Sequence, residues 1–272
     1  MNLINKLLFP SKKVGLTSSN DKPQFIVTLT SYGNRIKNIS HLAIKSILNG
    51  DTLPDRIILW LAHNDKNKIS KQLLKLQEQG LEIRFCEDLK SYKKLIPALC
   101  EYPKDILITI DDDLRYKKDW FAKLKQTFIN DSHKICCHRA HLITFDNENK
   151  ILPYKKWEHC KANYQSPAKF IFPTGCGGIL YPPNSLHTNV LDEKLFMTLC
   201  PKADDIWFWA MAKLQATEHC VVPNGYNLDD KKNDLQKKGG EESLWLKNVE
   251  ENWNDKQINT ILEKYPMLYP TN

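Results

Sequence analysis

Three consecutive carboxylates, Asp111-Asp112-Asp113, follow the apolar run ILITI at 106–110. In an extended chain Asp111 and Asp113 project to one side and Asp112 to the other. Two acids on one side repel each other unless a cation lies between them. Mg²⁺ or Mn²⁺ takes such oxygen ligands and shares its remaining positions with phosphate oxygens. A solvated turn, or the cap of a helix near Asp119, would use one such acid but does not explain three after a buried strand. A second acidic pair, Asp204-Asp205, stands at the head of the apolar segment IWFWAMA. Helix capping and contact with the helix dipole would satisfy one of its two carboxylates. Between these clusters lies FPTGCGGILYPP (172–183). Gly175, Gly177 and Gly178 there either let backbone approach a ligand closely or form a bulge needed only for shape.

The elements that must carry these residues alternate. Strands are expected at Gln24–Thr30, Arg56–Leu61, Leu81–Phe85 and Ile106–Ile110, and helices through Asn49-Gly50, over Lys68–Gln79 and over Tyr92–Cys100. Such strand–helix alternation predicts a parallel, doubly wound α/β sheet, whose carboxyl edge is where open sheets bind ligands. The triplet would lie on that edge. Further on, Trp120–Phe128 reads as a helix, Lys134–His138 as a strand, 146–168 as a long loop, Phe170–Tyr181 as interrupted strand, Ala203–Leu214 as a helix, Asn227–Gly240 as a charged loop and Asp255–Tyr265 as a final amphipathic helix. No linker divides the chain. It is read as a basic arm at 1–22 and one domain at 23–272, with a nucleotide-binding half at about 23–115 and an acceptor half and tail at 116–272.

Composition narrows the partner. Lys and Arg outnumber Asp and Glu by 39 to 32, a net charge of +7. That excess suits a nucleotide diphosphate or an acidic lipid surface and is too mild for nucleic acid. The eight Cys show no CxxC pair, and Cys136-Cys137 reads as strand filler. The opening MNLINKLLFP carries Lys6 in its apolar run and no small-residue cleavage site, so a cytoplasmic location with reduced thiols is expected. Lys6, Lys12 and Lys13 beside Leu7, Leu8 and Phe9 would also let the arm rest on an anionic inner membrane.

ITIDDDL resembles the DxD motif of GT-A glycosyltransferases, with Asp111 and Asp113 as its acids. FIVTLTSYGNR (25–35) resembles the nucleotide-binding opening of that fold, which assigns Thr30, Ser31, Tyr32 and Arg35 to the donor nucleotide. SYKKLIPAL (91–99) resembles the segment that contacts the diphosphate through Lys93 and Lys94, with Asp111 and Asp112 beside it. FPTGCGGILYPP and PKADDIWFWAMA (201–212) look like a matched pair in small bacterial family-2-like enzymes of surface polysaccharide, capsule and lipopolysaccharide synthesis. The resemblance covers about 24–225, with GGEESLWLKN and the final helix matched loosely, and places Gly175, Gly177 and Gly178 beside the acceptor and donor sugar. It makes Asp205 the base that deprotonates an attacking hydroxyl, with Asp204 orienting it. Trp207, like Trp157, Trp209, Tyr181 and Phe208, could offer a flat face to a sugar, although with seven Trp most belong to a core. No His follows His219 to complete the metal shell, and His187 and His219 are weak candidates.

The expectation is therefore a GT-A-like, Rossmann-type transferase of hexosyltransferase type. It would move a sugar from a nucleotide donor, UDP-linked first, to a glycan or lipid-linked glycan, with Mn²⁺ or Mg²⁺ and inversion. A nucleotidyltransferase or sugar-phosphate enzyme using the same acidic site is the alternative, with a non-catalytic glycan-binding protein behind it.

Overall fold

The computed structural model describes residues 22–160, 170–225, 235 and 252–269. The basic arm up to residue 21, the stretch 161–169 of the expected loop, and nearly all of Asn227–Gly240 and GGEESLWLKN lie outside the described residues. The chain is mixed α/β, with a large, mostly parallel central sheet flanked by helices, a Rossmann-like fold. Its described residues fall into two compact units, 22–126 with 235 and 127–225 with 252–269.

The first unit is built on four parallel strands, β1 (Phe25–Thr30), β2 (Arg56–Ala62), β3 (Leu81–Cys86) and β4 (Ile106–Thr109), in the order β3-β2-β1-β4. Ile26, Val27 and Leu29 of β1 and Ile57 to Leu61 of β2 are buried without alternation, as expected of strands covered on both faces. Each such side chain contributes about 1.5–3 kcal/mol of burial. The helices that begin in this unit are α1 (Arg35–Asn38), α2 (Ser40–Leu48), α3 (Lys71–Gln77), α4 (Ile96–Glu101) and α5 (Trp120–Asn130). The region expected as one helix over Lys68–Gln79 splits into a 3₁₀ turn at His63–Lys68 and α3, because the Ser70 side chain accepts the Leu73 N–H at 3.2 Å and starts a new helix. Tyr92–Cys100 divides likewise into a 3₁₀ turn at Lys90–Lys94 and α4, with Pro97 in the first turn of α4.

Register explains what meets at the carboxyl edge. β1 pairs with β4 so that Thr28 lies opposite Thr109. The residues just beyond each strand, Ser31 on one side and Asp111–Asp113 on the other, are therefore neighbours. Two aspartates secure the opposite end: Asp105 and Asp55 accept the N–H groups of Gln24 and Phe25 at 2.8 and 2.7 Å.

The second unit holds β5 (Ile135–Cys137), β6 (Ala140–Leu142), β7 (Glu158–His159), β8 (Ile171–Pro173), β9 (Ile179–Tyr181) and β10 (His219–Val221), with α6 (Glu193–Leu199), α7 (Asp204–Leu214) and α8 (Trp253–Lys264). β10 runs parallel to β5, β9 antiparallel to it, and β7, β6 and β8 form a separate antiparallel sheet. The part of 146–160 expected as plain loop contains a 3₁₀ turn at Tyr154–Lys156 and β7, which aromatic packing of Tyr154 and Trp157 against Phe172 holds in place. Cys136 and Cys137 are buried in β5. Among the described residues no helix is long and apolar enough to cross a membrane.

Candidate functional site

The acidic edge belongs wholly to the first unit. β4 ends at Thr109 and the chain turns at Asp112-Asp113, so the strict alternation expected for the triplet does not extend through it. Asp112 and Asp113 instead converge on one cation. Arg35 Nη2 lies 2.6 Å from Asp112 Oδ1 and 2.6 Å from Asp113 Oδ2. The Ser31 hydroxyl donates to Asp112 Oδ2 at 2.5 Å. Arg35, Asp112 and Asp113 are all buried. Asp111 is more open, with about a third of its side chain exposed; its carboxylate accepts from Lys94 Nζ at 3.1 Å.

The supports are specific. Thr28, at the centre of β1, accepts Trp60 Nε1–H at 3.0 Å and donates to the Lys94 carbonyl at 2.7 Å, which ties the Lys90–Lys94 turn beneath the edge. The Asp111 N–H donates to the Tyr116 hydroxyl at 2.9 Å, setting the direction of the turn. Lys93 and Lys94 are both buried, and Lys93 pairs with the exposed carboxylate of Asp88. Tyr32 lies against the guanidinium of Arg35, 5.3 Å from ring centre to Cζ, and accepts Arg35 Nη1–H at 3.4 Å. Thr30 turns away from the edge, donating to the Trp60 carbonyl at 2.8 Å. Of the eight positions assigned to nucleotide, Ser31, Tyr32, Arg35 and Asp112 are linked in one network with Asp113, Lys94 and Asp111 form a pair beside it, and Thr30 and Lys93 are engaged with other partners.

Burial pushes the Asp112 carboxyl up to about 7, with Asp113 adding repulsion and Arg35 and Ser31 opposing it. Asp113 is raised for the same first reason, with the charge of Asp111 next. Three carboxylates thus face two cations, Arg35 and Lys94, across this network. The donor chemistry, all oxygen with a surplus of negative charge, is that of a hard divalent cation. Among the described residues no group of three or more His, Cys, Asp or Glu side chains forms a metal shell by itself.

Asp204-Asp205, the glycines and the tryptophans lie in the second unit. Asp204 and Asp205 occupy the first turn of α7 after Ala203. Gly175 N–H donates to Asp205 Oδ2 at 2.9 Å, which fixes that carboxylate against the 3₁₀ turn Gly175–Gly177. Gly178 has φ +87°, a backbone conformation that favours glycine, and a Cβ at Gly177 would stand 2.8 Å from Arg139 Cβ, so the first is required by the backbone and the second by packing. Trp207 is not a sugar platform: it is fully buried and donates Nε1–H to the Val190 carbonyl at 3.2 Å. Trp157, Trp209, Tyr181 and Phe208 are likewise core. The cavity lined by Asp205, Trp209 and His219 measures about 10 Å³, far below the several hundred Å³ of a small-molecule site.

The two histidines named as weak candidates for the metal shell both lie in the second unit. His187 accepts Asn189 N–H at 3.2 Å. His219 is buried in β10, and burial, with Lys213 second, holds it down to about 3. His141 is also held down to about 3, by burial first and then by Arg139 and His159. In the unfolded chain both imidazoles take a proton near 6.5, whereas the folded chain refuses it until about 3. The unfolded state therefore binds more protons over that window, and stability falls as pH drops through it, by up to about 2.7 kcal/mol per pH unit for the two together. Urea unfolding between pH 7 and 4 is expected to show this acid limb, and a His141→Gln/His219→Gln double variant is expected to flatten it.

Arg139 was not anticipated from the sequence, although an arginine two residues after the apolar β5 is a signal that could have found it. Thr28, Tyr116 and Asp88 were missed because their parts are set by tertiary contacts.

The fold defines the class: a mixed α/β protein with a large, mostly parallel, Rossmann-like sheet. No protein-family model matches the chain, and no curated protein sequence matches it. Among solved structures it is similar to a 4-diphosphocytidyl-2C-methyl-D-erythritol synthase from Anaerococcus prevotii DSM 20548, at 13% identity and TM-score 0.46, covering 77% of this chain and 93% of that one. It is also similar to a CMP:2-keto-3-deoxy-manno-octonic acid synthetase complexed with CTP, at 12% identity and TM-score 0.41, covering 74% and 90%. A further 4-diphosphocytidyl-2C-methyl-D-erythritol synthase matches at 8% identity and TM-score 0.43, covering 78% and 95%. These are nucleotidyltransferases. They correct the expectation of sugar transfer from a UDP-linked donor to a glycan, which is withdrawn in favour of its alternative.

Proposed function

We propose that the chain is a nucleotidyltransferase that binds a nucleoside triphosphate at the acidic edge of its first unit. The observation that carries this reading is the charge arrangement at the ends of β1 and β4, where Arg35 bridges Asp112 and Asp113 and Lys94 meets Asp111. A triphosphate with a divalent cation matches both halves of that arrangement: phosphate oxygens suit Arg35 and Lys94, and the cation suits the carboxylates. Asp111 and Asp113 would hold Mg²⁺ or Mn²⁺, which supplies neutralisation of the charge on the triphosphate. Lys94, anchored through its own carbonyl to Thr28, keeps its ammonium at the edge without reorganisation. Ser31 fixes Asp112, and Tyr32 offers a ring beside Arg35 for the nucleoside. An oxygen of the acceptor would attack the α-phosphorus, the α–β bridging P–O bond would break, and pyrophosphate would leave with that electron pair. Asp205, which accepts the Gly175 N–H, and Asp204 beside it belong to the second unit, and no step at the acidic edge is assigned to them. A cytoplasmic location, with the basic arm against an anionic membrane, belongs to the same proposal.

Thermal unfolding with a panel of nucleoside triphosphates, with and without Mg²⁺ or Mn²⁺, tests the binding step. One triphosphate together with metal is expected to stabilise the chain by about 2.7 kcal/mol at a hundred times its dissociation constant. Equal stabilisation of a Lys94→Met variant would contradict the assignment.

A further inference from the structure

Arg139 stands between β5 and β6 in the second unit, and the turn Gly175–Gly177 is built around its stem. Its carbonyl accepts Thr174 N–H at 3.0 Å, and only a residue without Cβ fits at 177 against its Cβ and N. With the stem fixed, Nη1 donates to Thr174 Oγ1 at 2.8 Å and to Cys176 Sγ at 3.7 Å. Both are neutral acceptors, and among the described residues Arg139 makes no ion pair. A carboxylate is close by but committed elsewhere: Asp205 takes the Gly175 N–H. The positive charge is felt locally, since Arg139 helps to depress His141 and pulls the buried Tyr154 phenol down against burial and Asp205, which raise it. A half-buried, pre-positioned guanidinium that spends Nη1 on a hydroxyl and a thiol keeps its Nη2 and Nε donors in the planar arrangement that matches an oxyanion.

We propose that Arg139, with Thr174 and Cys176, forms an oxyanion-binding site in the second unit for a phosphate or carboxylate group of a small molecule. This goes beyond the acidic edge and does not depend on what that edge binds. A phosphate seated on the fork covers Cys176, whose sulfur touches Arg139, so alkylation of Cys176 reports occupancy. The rate of iodoacetamide labelling at Cys176, followed by peptide mass spectrometry on the full chain, is measured with inorganic phosphate, with acetate and with chloride at matched ionic strength. Phosphate or acetate is expected to slow labelling about tenfold at ten times its dissociation constant. Protection is expected to be lost in Arg139→Gln, to persist in part in Arg139→Lys, which keeps the charge and loses the fork, and to persist fully in Lys94→Met. Circular dichroism and urea unfolding of Arg139→Gln separate loss of the site from loss of the fold. An unchanged Cys176 rate with both anions in the wild type, equal protection in a folded Arg139→Gln, or protection that depends on Lys94 would each overturn the proposal.

Discussion

Replacing Arg35 with glutamine is expected to destabilise the chain by about 3–5 kcal/mol at pH 8, the cost of leaving buried carboxylates without their cation. Asp112 and Asp113 are both buried, and Arg35 is the cation placed against each at 2.6 Å. The Ser31 hydroxyl satisfies one oxygen of Asp112 but brings no charge. The loss has a ceiling, because an uncompensated acid takes up a proton instead of staying charged. Asp112 already tends that way, held up to about 7 by burial and by Asp113. The sign follows from linkage: a folded-state carboxyl raised above its unfolded value binds its proton to a higher pH than the unfolded chain does. Its ionisation penalty is absent below about 4 and grows as pH rises, and losing Arg35, which lowers this carboxyl, moves that window further up, so the Arg35→Gln variant is expected to recover stability as pH falls from 8 to 5. Adding Asp112→Asn to Arg35→Gln is expected to restore much of the loss at pH 8 and to remove most of this pH dependence. Urea titrations of the four chains at both pH values give the comparison as a double-mutant cycle. A loss under about 1 kcal/mol at pH 8 would mean that the carboxylates are not charged together at this edge.

Lys94→Met is expected to cost about 10²–10³ in turnover with little change in fold, the usual scale for removing one pre-positioned charge partner of a reacting group. Methionine fills the volume of the lysine stem, and the tie from the Thr28 hydroxyl to the residue 94 carbonyl is a main-chain contact that the substitution leaves alone. The one described carboxylate that loses its partner is Asp111, which is open enough to be solvated. Lys93→Met is expected to behave differently. Its ammonium pairs with the exposed Asp88, so the change should weaken the Lys90–Lys94 turn and lower turnover less. Steady-state kinetics with melting curves on both variants separates the two roles; equal losses of turnover would remove Lys94 from its assigned part.

Much of the first unit was legible from pattern alone. The runs FIVTLT, RIILWL and ILITI are continuous in apolar and β-branched residues, which only strands covered on both faces require, and they became β1, β2 and β4. The helix breaks at Ser70 and Pro97 were less visible, because capping competes with periodicity over a single turn. The triplet was placed correctly at the strand end, yet its geometry was not. Extended-chain alternation stops where the chain turns, and the partner that decides the outcome, Arg35, lies more than seventy positions away in sequence. Trp207 illustrates the opposite error: a helix apolar on nearly every face reads equally as platform or core, and only packing separates the two. Arg139 carries no motif, so its significance emerges only from the neutral acceptors and the glycine turn around it.

The central claim is transfer at phosphorus, and the reverse reaction tests it without knowledge of the natural acceptor. The chain is incubated with nucleotide sugars of the UDP, GDP, CDP and CMP series, Mg²⁺ or Mn²⁺, and labelled pyrophosphate. The account predicts that label enters a nucleoside triphosphate from one of them, that this requires the divalent cation, and that Lys94→Met abolishes it. Release of a nucleoside diphosphate from a nucleotide sugar, with pyrophosphate left untouched, would contradict it.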